Sequence, residues 1–245
     1  MVKRYKRLTY IFKNSIEVYE YLDGRYGAPG EKRRKKKKAT PEEIQNRNQW
    51  NRERTARHKL KTWFEENDYL VLLTYQKALR PDCMHQAKRQ YKKWYTKVRK
   101  EYRKRGQELR WMRNIEAGTK GNWHIHVVIN RIGEADLIIS KAWQYGKVTF
   151  KHLYDSGGFE QLAGYIVKTP ETCHKYNETL KETSYSASKN LPVKEPKVKR
   201  FCRWRKEPQA KNGYYIDKAT YHEGTNRTTG YKYRYYTMVK LDRRI

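Results

Sequence analysis

Ile115-Glu116-Ala117-Gly118-Thr119-Lys120-Gly121-Asn122-Trp123-His124-Ile125-His126-Val127-Val128-Ile129-Asn130 is the stretch on which the reading of this chain turns. Two histidines flank one isoleucine and run into three β-branched apolar residues, which is strand composition. Residues i and i+2 of a strand share a face, so His124 and His126 point one way while Ile125 and Val127 point the other. Arg110 to Glu116 reads as a second strand, and Ala117 to Asn122, with two glycines and an Asn, suits a hairpin loop. Folding about Lys120 sets Glu116 opposite His124, where directly opposed Cβ atoms lie about 4.5–5.5 Å apart. Two imidazoles and a carboxylate then converge as a divalent-metal site with open coordination positions. A His-x-His pair alone is equally the mark of a surface pair or a satisfied core histidine, so its meaning depends on the rest of the chain.

Charge narrows the partners. Lys and Arg number 57 against 26 Asp and Glu, a net +31 over 245 residues. Such a field selects polyanions, either nucleic acid or an anionic membrane surface. The 22 tyrosines and 7 tryptophans interleaved with these cations are what single-stranded nucleic acid needs, because bases stack on rings while Lys and Arg follow phosphates. No apolar run reaches the ~18 residues of a membrane span. The N-terminus has no apolar h-region, and Cys83, Cys173 and Cys202 show no C-x-x-C spacing. A cytoplasmic protein without disulfides or structural zinc is therefore expected.

The remaining elements place this hairpin in an α+β domain. Leu8 to Phe12 and Ile16 to Tyr21 suggest short strands, followed by a Gly- and Pro-containing loop. Lys32, Arg33, Arg34, Lys35, Lys36, Lys37 and Lys38 form an unbroken cationic run, kept extended unless a polyanion neutralises it, and are expected to bind DNA. Thr40-Pro41-Glu42-Glu43 is a capping box with proline at N1, and the helix it starts is expected to continue to about Asn67. Tyr69 to Tyr75 reads as a central strand buried on both faces. Met84, Ala87, Tyr91, Trp94, Tyr95, Val98 and Tyr102 recur at helical spacing up to Gly106. The other side of that helix carries cations, with Lys92 and Lys93 candidate phosphate contacts. Trp143 to Leu153 predicts another strand and Phe159 to Thr169 a short helix stopped by Pro170. Residues 171–200 read as loop, and Phe201 to Leu241 as short antiparallel strands. The expected architecture is a mostly antiparallel sheet of about five strands with packed helices. Residues 1–40 are expected to form a basic extension, 41–190 the domain that carries the hairpin, and 191–245 a β-rich extension, separate or part of the same domain.

The short helix supplies a second candidate group. Phe159, Leu162, Ala163 and Ile166 form its apolar stripe, Tyr165 lies on the flank, and Lys168 and Gln161 share the tyrosine's side. A cation beside a phenol favours the phenolate, making Tyr165 a candidate nucleophile with Lys168 as its partner.

Val71-Leu72-Leu73-Thr74, His124-Ile125-His126 and Tyr165-Ile166-Val167-Lys168, in that order, resemble the HUH endonucleases, and within them the rolling-circle replication initiators (Rep proteins) of plasmids and phages. Glu116 looks like that family's third metal ligand, and Tyr185 to Leu191 is similar to a stretch found after the tyrosine helix in bacterial Rep-like proteins. The resemblance covers roughly residues 65–190. It implies an HUH/RRM-like catalytic domain in which His124, His126 and Glu116 hold Mg²⁺ or Mn²⁺. Tyr165 would nick single-stranded origin DNA, leaving a 5′-phosphotyrosine and a free 3′-OH primer, and Lys168 would neutralise the phosphate or position the phenol. Host helicase and polymerase would be partners. The next tyrosine, Tyr176, lies beyond Pro170, which implies a single-nucleophile scheme. The motif order also suits a single-tyrosine HUH transposase, while charge and aromatics alone suit a non-enzymatic nucleic-acid-binding protein.

Overall fold

A computed structural model describes residues 5–22, 38–153, 159–225 and 232–241. In chain order its elements are β1 (Tyr5–Ile11), β2 (Ser15–Leu22), α1 (Pro41–Trp63), β3 (Tyr69–Thr74), α2 (Met84–Lys104), β4 (Trp111–Gly118), β5 (Trp123–Ile129), α3 (Ala135–Ala142), β6 (Val148–His152), α4 (Glu160–Ile166), β7 (Leu180–Ala187), β8 (Lys197–Phe201), β9 (Tyr214–Thr225) and β10 (Lys232–Lys240). They build an α+β fold with two antiparallel sheets of five strands each, where the sequence suggests one. Two compact units result. Residues 50–193 form one, and residues 1–49 with 194–245 form the other.

The first unit holds the sheet ordered β6-β3-β5-β4-β7. Alternation along its strands divides the core in two. Val71, Leu73, Ile115, Ile125 and Val127 face α2 and α3, joined by Ala87, Tyr91, Trp94, Val98, Ile138 and Ile139. Met112 and Val128 face the other way, packed with Ala56 and Leu60 of α1 and Ala163 and Ile166 of α4. The apolar stripe of α2 is the one its spacing predicts, with Tyr95 partly buried at its margin. Strand β3 departs from expectation: Tyr69, Val71 and Leu73 are buried, but Leu70, Leu72 and Thr74 are half-exposed. A continuous apolar run here has one buried face, because the second face borders the candidate site.

Other departures have local causes. Helix α3 has no counterpart in the sequence pattern; at eight residues, it is too short to display a period, and no side chain caps its start. Strand β7 falls where polar residues predict loop, a composition that an edge strand can carry. It is held by backbone pairing to β4 and by Arg113, whose guanidinium donates to the Ser184 carbonyl at 2.7 Å. The Tyr185–Leu191 stretch serves this attachment. Ser188 exchanges bonds with the Trp111 backbone, Asn190 donates to the Leu109 carbonyl, and Leu191 is buried.

The second unit is a sheet ordered β8-β1-β2-β10-β9, in which both ends of the chain pair with each other. The capping box is present: Thr40 N–H donates to Glu43 Oε2 at 3.0 Å, and Glu43 N–H to Thr40 Oγ1 at 3.1 Å. One sheet face buries Ile16, Val18, Tyr236 and Met238. Glu20 continues that face, directly opposed by Arg7 on β1 and Arg234 on β10, and both guanidiniums bond its carboxylate. Arg234 is also covered by Trp204, 4.5 Å from its Cζ to the ring centroid. Glu20→Ala leaves a buried guanidinium uncompensated and is expected to cost about 3–5 kcal/mol, read as a lowered urea midpoint.

Candidate active site

The β4–β5 hairpin has the register its residue pattern requires. Glu116 lies opposite His124 and Asn114 opposite His126, all on the sheet face that packs α4. Gly118 N–H closes the loop on the Asn122 carbonyl at 2.7 Å, and Gly121 takes the positive φ of +70° that the turn demands. The loop therefore fixes which residues meet.

The side chains converge on one carboxylate oxygen. Glu116 Oε2 is 2.9 Å from His124 Nε2, 3.5 Å from His126 Nε2 and 3.2 Å from Lys168 Nζ. One ligating atom from each of Glu116, His124 and His126 lies within 4.8 Å of the others. Glu116 is fully buried, and its Oε1 has no hydrogen-bond partner among the described residues. Buried carboxylate oxygens normally have partners. An unsatisfied anionic oxygen beside two imidazole nitrogens fits a divalent cation, and this set of donors could hold one.

Helix α4 and the turn after it deliver the second half. Burial of Ala163 and Ile166 leaves Tyr165 at the helix flank, and its hydroxyl lies 3.0 Å from His126 Nε2. Lys168 is completely buried beyond the helix end. Its ammonium is 3.5 Å from the Tyr165 ring centroid, a cation–π contact, and its carbonyl accepts from Asn114 Nδ2 at 3.1 Å. Gln161, expected beside them, is exposed.

Two further residues enter that the sequence does not single out for this site. Glu178 pairs with Lys168 at 2.6 Å, although the angles miss hydrogen-bond geometry, and receives a long 3.4 Å contact from the Tyr165 hydroxyl. No spacing rule links it to Tyr165, since a turn and an unpaired stretch intervene. Tyr176 lies beyond Pro170 in the chain yet packs edge-on to Tyr165 at 5.3 Å between ring centroids. Gly164 permits this approach, because a Cβ there would sit 2.5 Å from the Tyr176 hydroxyl oxygen.

The electrostatics correct one expectation. Lys168, three residues on, is expected to favour the phenolate and so to draw the Tyr165 pKa down. Instead, burial pushes the Tyr165 pKa up, and the Glu116 and Glu178 carboxylates push it further. The phenol is therefore held protonated at neutral pH. Burial works to raise the Glu116 pKa too, but hydrogen bonds from both histidines and the Lys168 charge outweigh it, pulling the pKa down to about 2. His126 is shifted downward by burial, against the opposing pull of Glu116.

Lys92 and Lys93 are exposed on α2, which covers the opposite sheet face. Lys38 is exposed, and Lys32, Arg33, Arg34, Lys35, Lys36 and Lys37 lie outside the described residues.

The Glu116 shift gives a pH signature. Its folded-state pKa of about 2 lies below the ordinary 4.5, so its stabilisation is full above pH 4.5 and is lost as pH falls towards 2. Glu116→Gln is expected to unfold more easily than the parent at neutral pH in EDTA, with the difference shrinking below pH 4.5, measured by urea titration at each pH.

No curated protein and no solved structure matches the chain. Over residues 68–170, which run from the start of β3 past Tyr165 and Lys168, the sequence matches the family model of the replication-associated protein ORF2.

Proposed function

We propose that this chain is a rolling-circle replication initiator of the HUH endonuclease type, nicking single-stranded origin DNA with Tyr165 as nucleophile. The observation that carries the reading is the Tyr165 hydroxyl, 3.0 Å from a nitrogen of His126 inside the Glu116-His124-His126 cluster. The match to a replication-associated family supports initiation over transposition.

In this reading Glu116, His124 and His126 hold Mg²⁺ or Mn²⁺, which when bound polarises the scissile phosphate. The mixed imidazole–carboxylate set favours Mn²⁺ in vitro. Tyr165 Oη bonds to phosphorus as the P–O3′ bond breaks. The departing 3′ oxygen takes up a proton to become the primer hydroxyl, and the 5′ phosphate stays on Tyr165. Attack by a 3′-OH on that ester reverses the step and rejoins the strand.

Because Tyr165 is held protonated, its proton needs an acceptor. His126 Nε2 would be committed to the ion. Glu178 Oε1, at 3.4 Å, is the remaining acceptor and the group we assign to this task. Lys168, fixed between Glu116 and Glu178 and set against the phenol ring, positions the nucleophile and offsets charge developing on phosphate. Tyr176 has its hydroxyl turned onto Gly164, so the scheme has one nucleophile, and termination falls to a second molecule or a second round. The α2 cations, across the sheet from the centre, are assigned to DNA beyond the nicked segment rather than to the reacting phosphate. Host helicase and polymerase would complete the partners, in a cytoplasmic setting.

Incubating the protein with Mn²⁺ and oligonucleotides tiling the DNA around its gene is expected to give an SDS-resistant adduct with one of them. Tyr165→Phe is expected to give none, and an adduct formed by that variant overturns the assignment. Binding with no adduct from the parent chain under any divalent ion identifies a non-enzymatic DNA-binding protein instead. Glu178→Gln is expected to slow adduct formation by about 10²-fold or more at neutral pH, with the rate climbing as pH rises towards ionisation of the phenol itself.

A further inference from the structure

We infer that the sheet formed by the two chain ends carries a binding platform for single-stranded DNA on the face opposite its Glu20–Arg234 core. The inference deepens the nicking reading by assigning the substrate strand a second site, and rests on that reading for the choice of DNA over other polyanions.

Strand register defines the platform. Arg200, Lys6, Tyr21, Tyr233 and Gly224 are directly opposed in succession, forming one row across all five strands on a single face. Two residues along each strand, Val198, Leu8, Tyr19, Tyr235 and His222 form the next row on that face. The first row is cationic at the β8 side, with Arg200 and Lys6, and aromatic across the middle, and it contains no acid. The second row has apolar Val198 and Leu8 at the β8 side, and its Tyr19 is buried and donates to Glu17 further along the same face, so the accessible platform is the first row. The opposite face buries Ile16, Val18, Tyr236 and Met238 as this unit's core. The rings of the first row are therefore not needed to fill it.

Ring geometry points to a stacking partner. Tyr233 is 38 % exposed, and its ring lies over Gly224, where an added Cβ would fall 3.1–3.4 Å from the ring and hydroxyl atoms. One side of that ring thus covers backbone, and the exposed remainder is available to a base. Behind it, His222 stacks on Tyr235 at 4.5 Å and Tyr235 on Tyr19 at 6.0 Å, each pair within 24° of parallel. Tyr21 is half-exposed between Tyr233 and Lys6. Tyr21 and Tyr233 side by side on the sheet, with Lys6 and Arg200 continuing their row, match what a single strand requires: π faces for bases and cations for phosphates. A duplex hides its base faces and would engage only the cations.

The test is fluorescence anisotropy of the full chain with labelled oligo(dT) of about 20 nucleotides, longer than one such domain occupies, and with a duplex of equal length, both in EDTA. Tyr21→Ala with Tyr233→Ala is expected to weaken oligo(dT) binding about tenfold or more while duplex binding and the salt dependence change little. Ultraviolet crosslinking of the unmutated protein to oligo(dT), mapped by mass spectrometry, is expected to mark peptides containing Tyr21 or Tyr233, a readout independent of how the variant folds. Equal losses for single strand and duplex, crosslinks confined to residues 50–193, or tighter binding of oligo(U) than of oligo(dT) overturn the proposal. The two readings fail separately. Adduct formation by the parent chain with undiminished oligo(dT) binding by the double variant removes the platform alone. Crosslinks at Tyr21 or Tyr233 in a chain that never forms an adduct sustain the platform without the nicking centre.

Discussion

Glu116 carries a negative charge in a position with no solvent exposure, and the arrangement around it follows from that fact. An ionised carboxylate buried without partners is prohibitively costly. Here three nitrogen groups from two places in the chain, His124 and His126 on β5 and Lys168 beyond α4, approach the same oxygen. Lys168 is itself fully buried, so it in turn requires Glu178. Each charge justifies the next, and Tyr165 is enclosed by the series. Removing any member exposes an uncompensated charge to the interior, which is why the candidate ligands and the candidate nucleophile form one electrostatic unit.

The half of the site carried by the hairpin was legible because strand alternation and a short loop determine which residues face each other. Glu116 opposite His124 follows from folding the chain about Lys120. Tyr165 and Lys168 were legible as a spacing, but their chemistry was not. The sequence suggests a lysine that favours the phenolate, whereas burial and two carboxylates act in the opposite direction. Desolvation depends on what packs around a group, and a linear pattern does not carry that. Glu178 was invisible for a related reason: only the path from α4 through the turn at Cys173–Tyr176 into β7 returns it to the tyrosine.

The fold shows the same division. Helix α2 announces itself through seven aromatic and aliphatic positions on one stripe, and α1 through its capping box. The pairing of β1 with β8 and of β2 with β10 spans nearly the whole chain, and no local signal encodes it. What could be read at the ends was composition, alternating tyrosines and turn residues, and this yielded strands without a sheet. The register then gives those tyrosines their meaning, since it decides which share a face with Lys6 and which join the core.

The hairpin also separates the site in time. Glu116 and His124 are eight residues apart, so their encounter needs only a short loop to close, whereas Tyr165 must find His126 across 39 residues. Closing short loops is fast, and distant contacts wait on the entropy of ordering the intervening chain. During synthesis the carboxylate and both imidazoles are complete before α4 exists. The nascent chain can therefore bring the three candidate ligands together while Tyr165 is still unplaced, and the full cluster is complete only after β6 and α4 have docked.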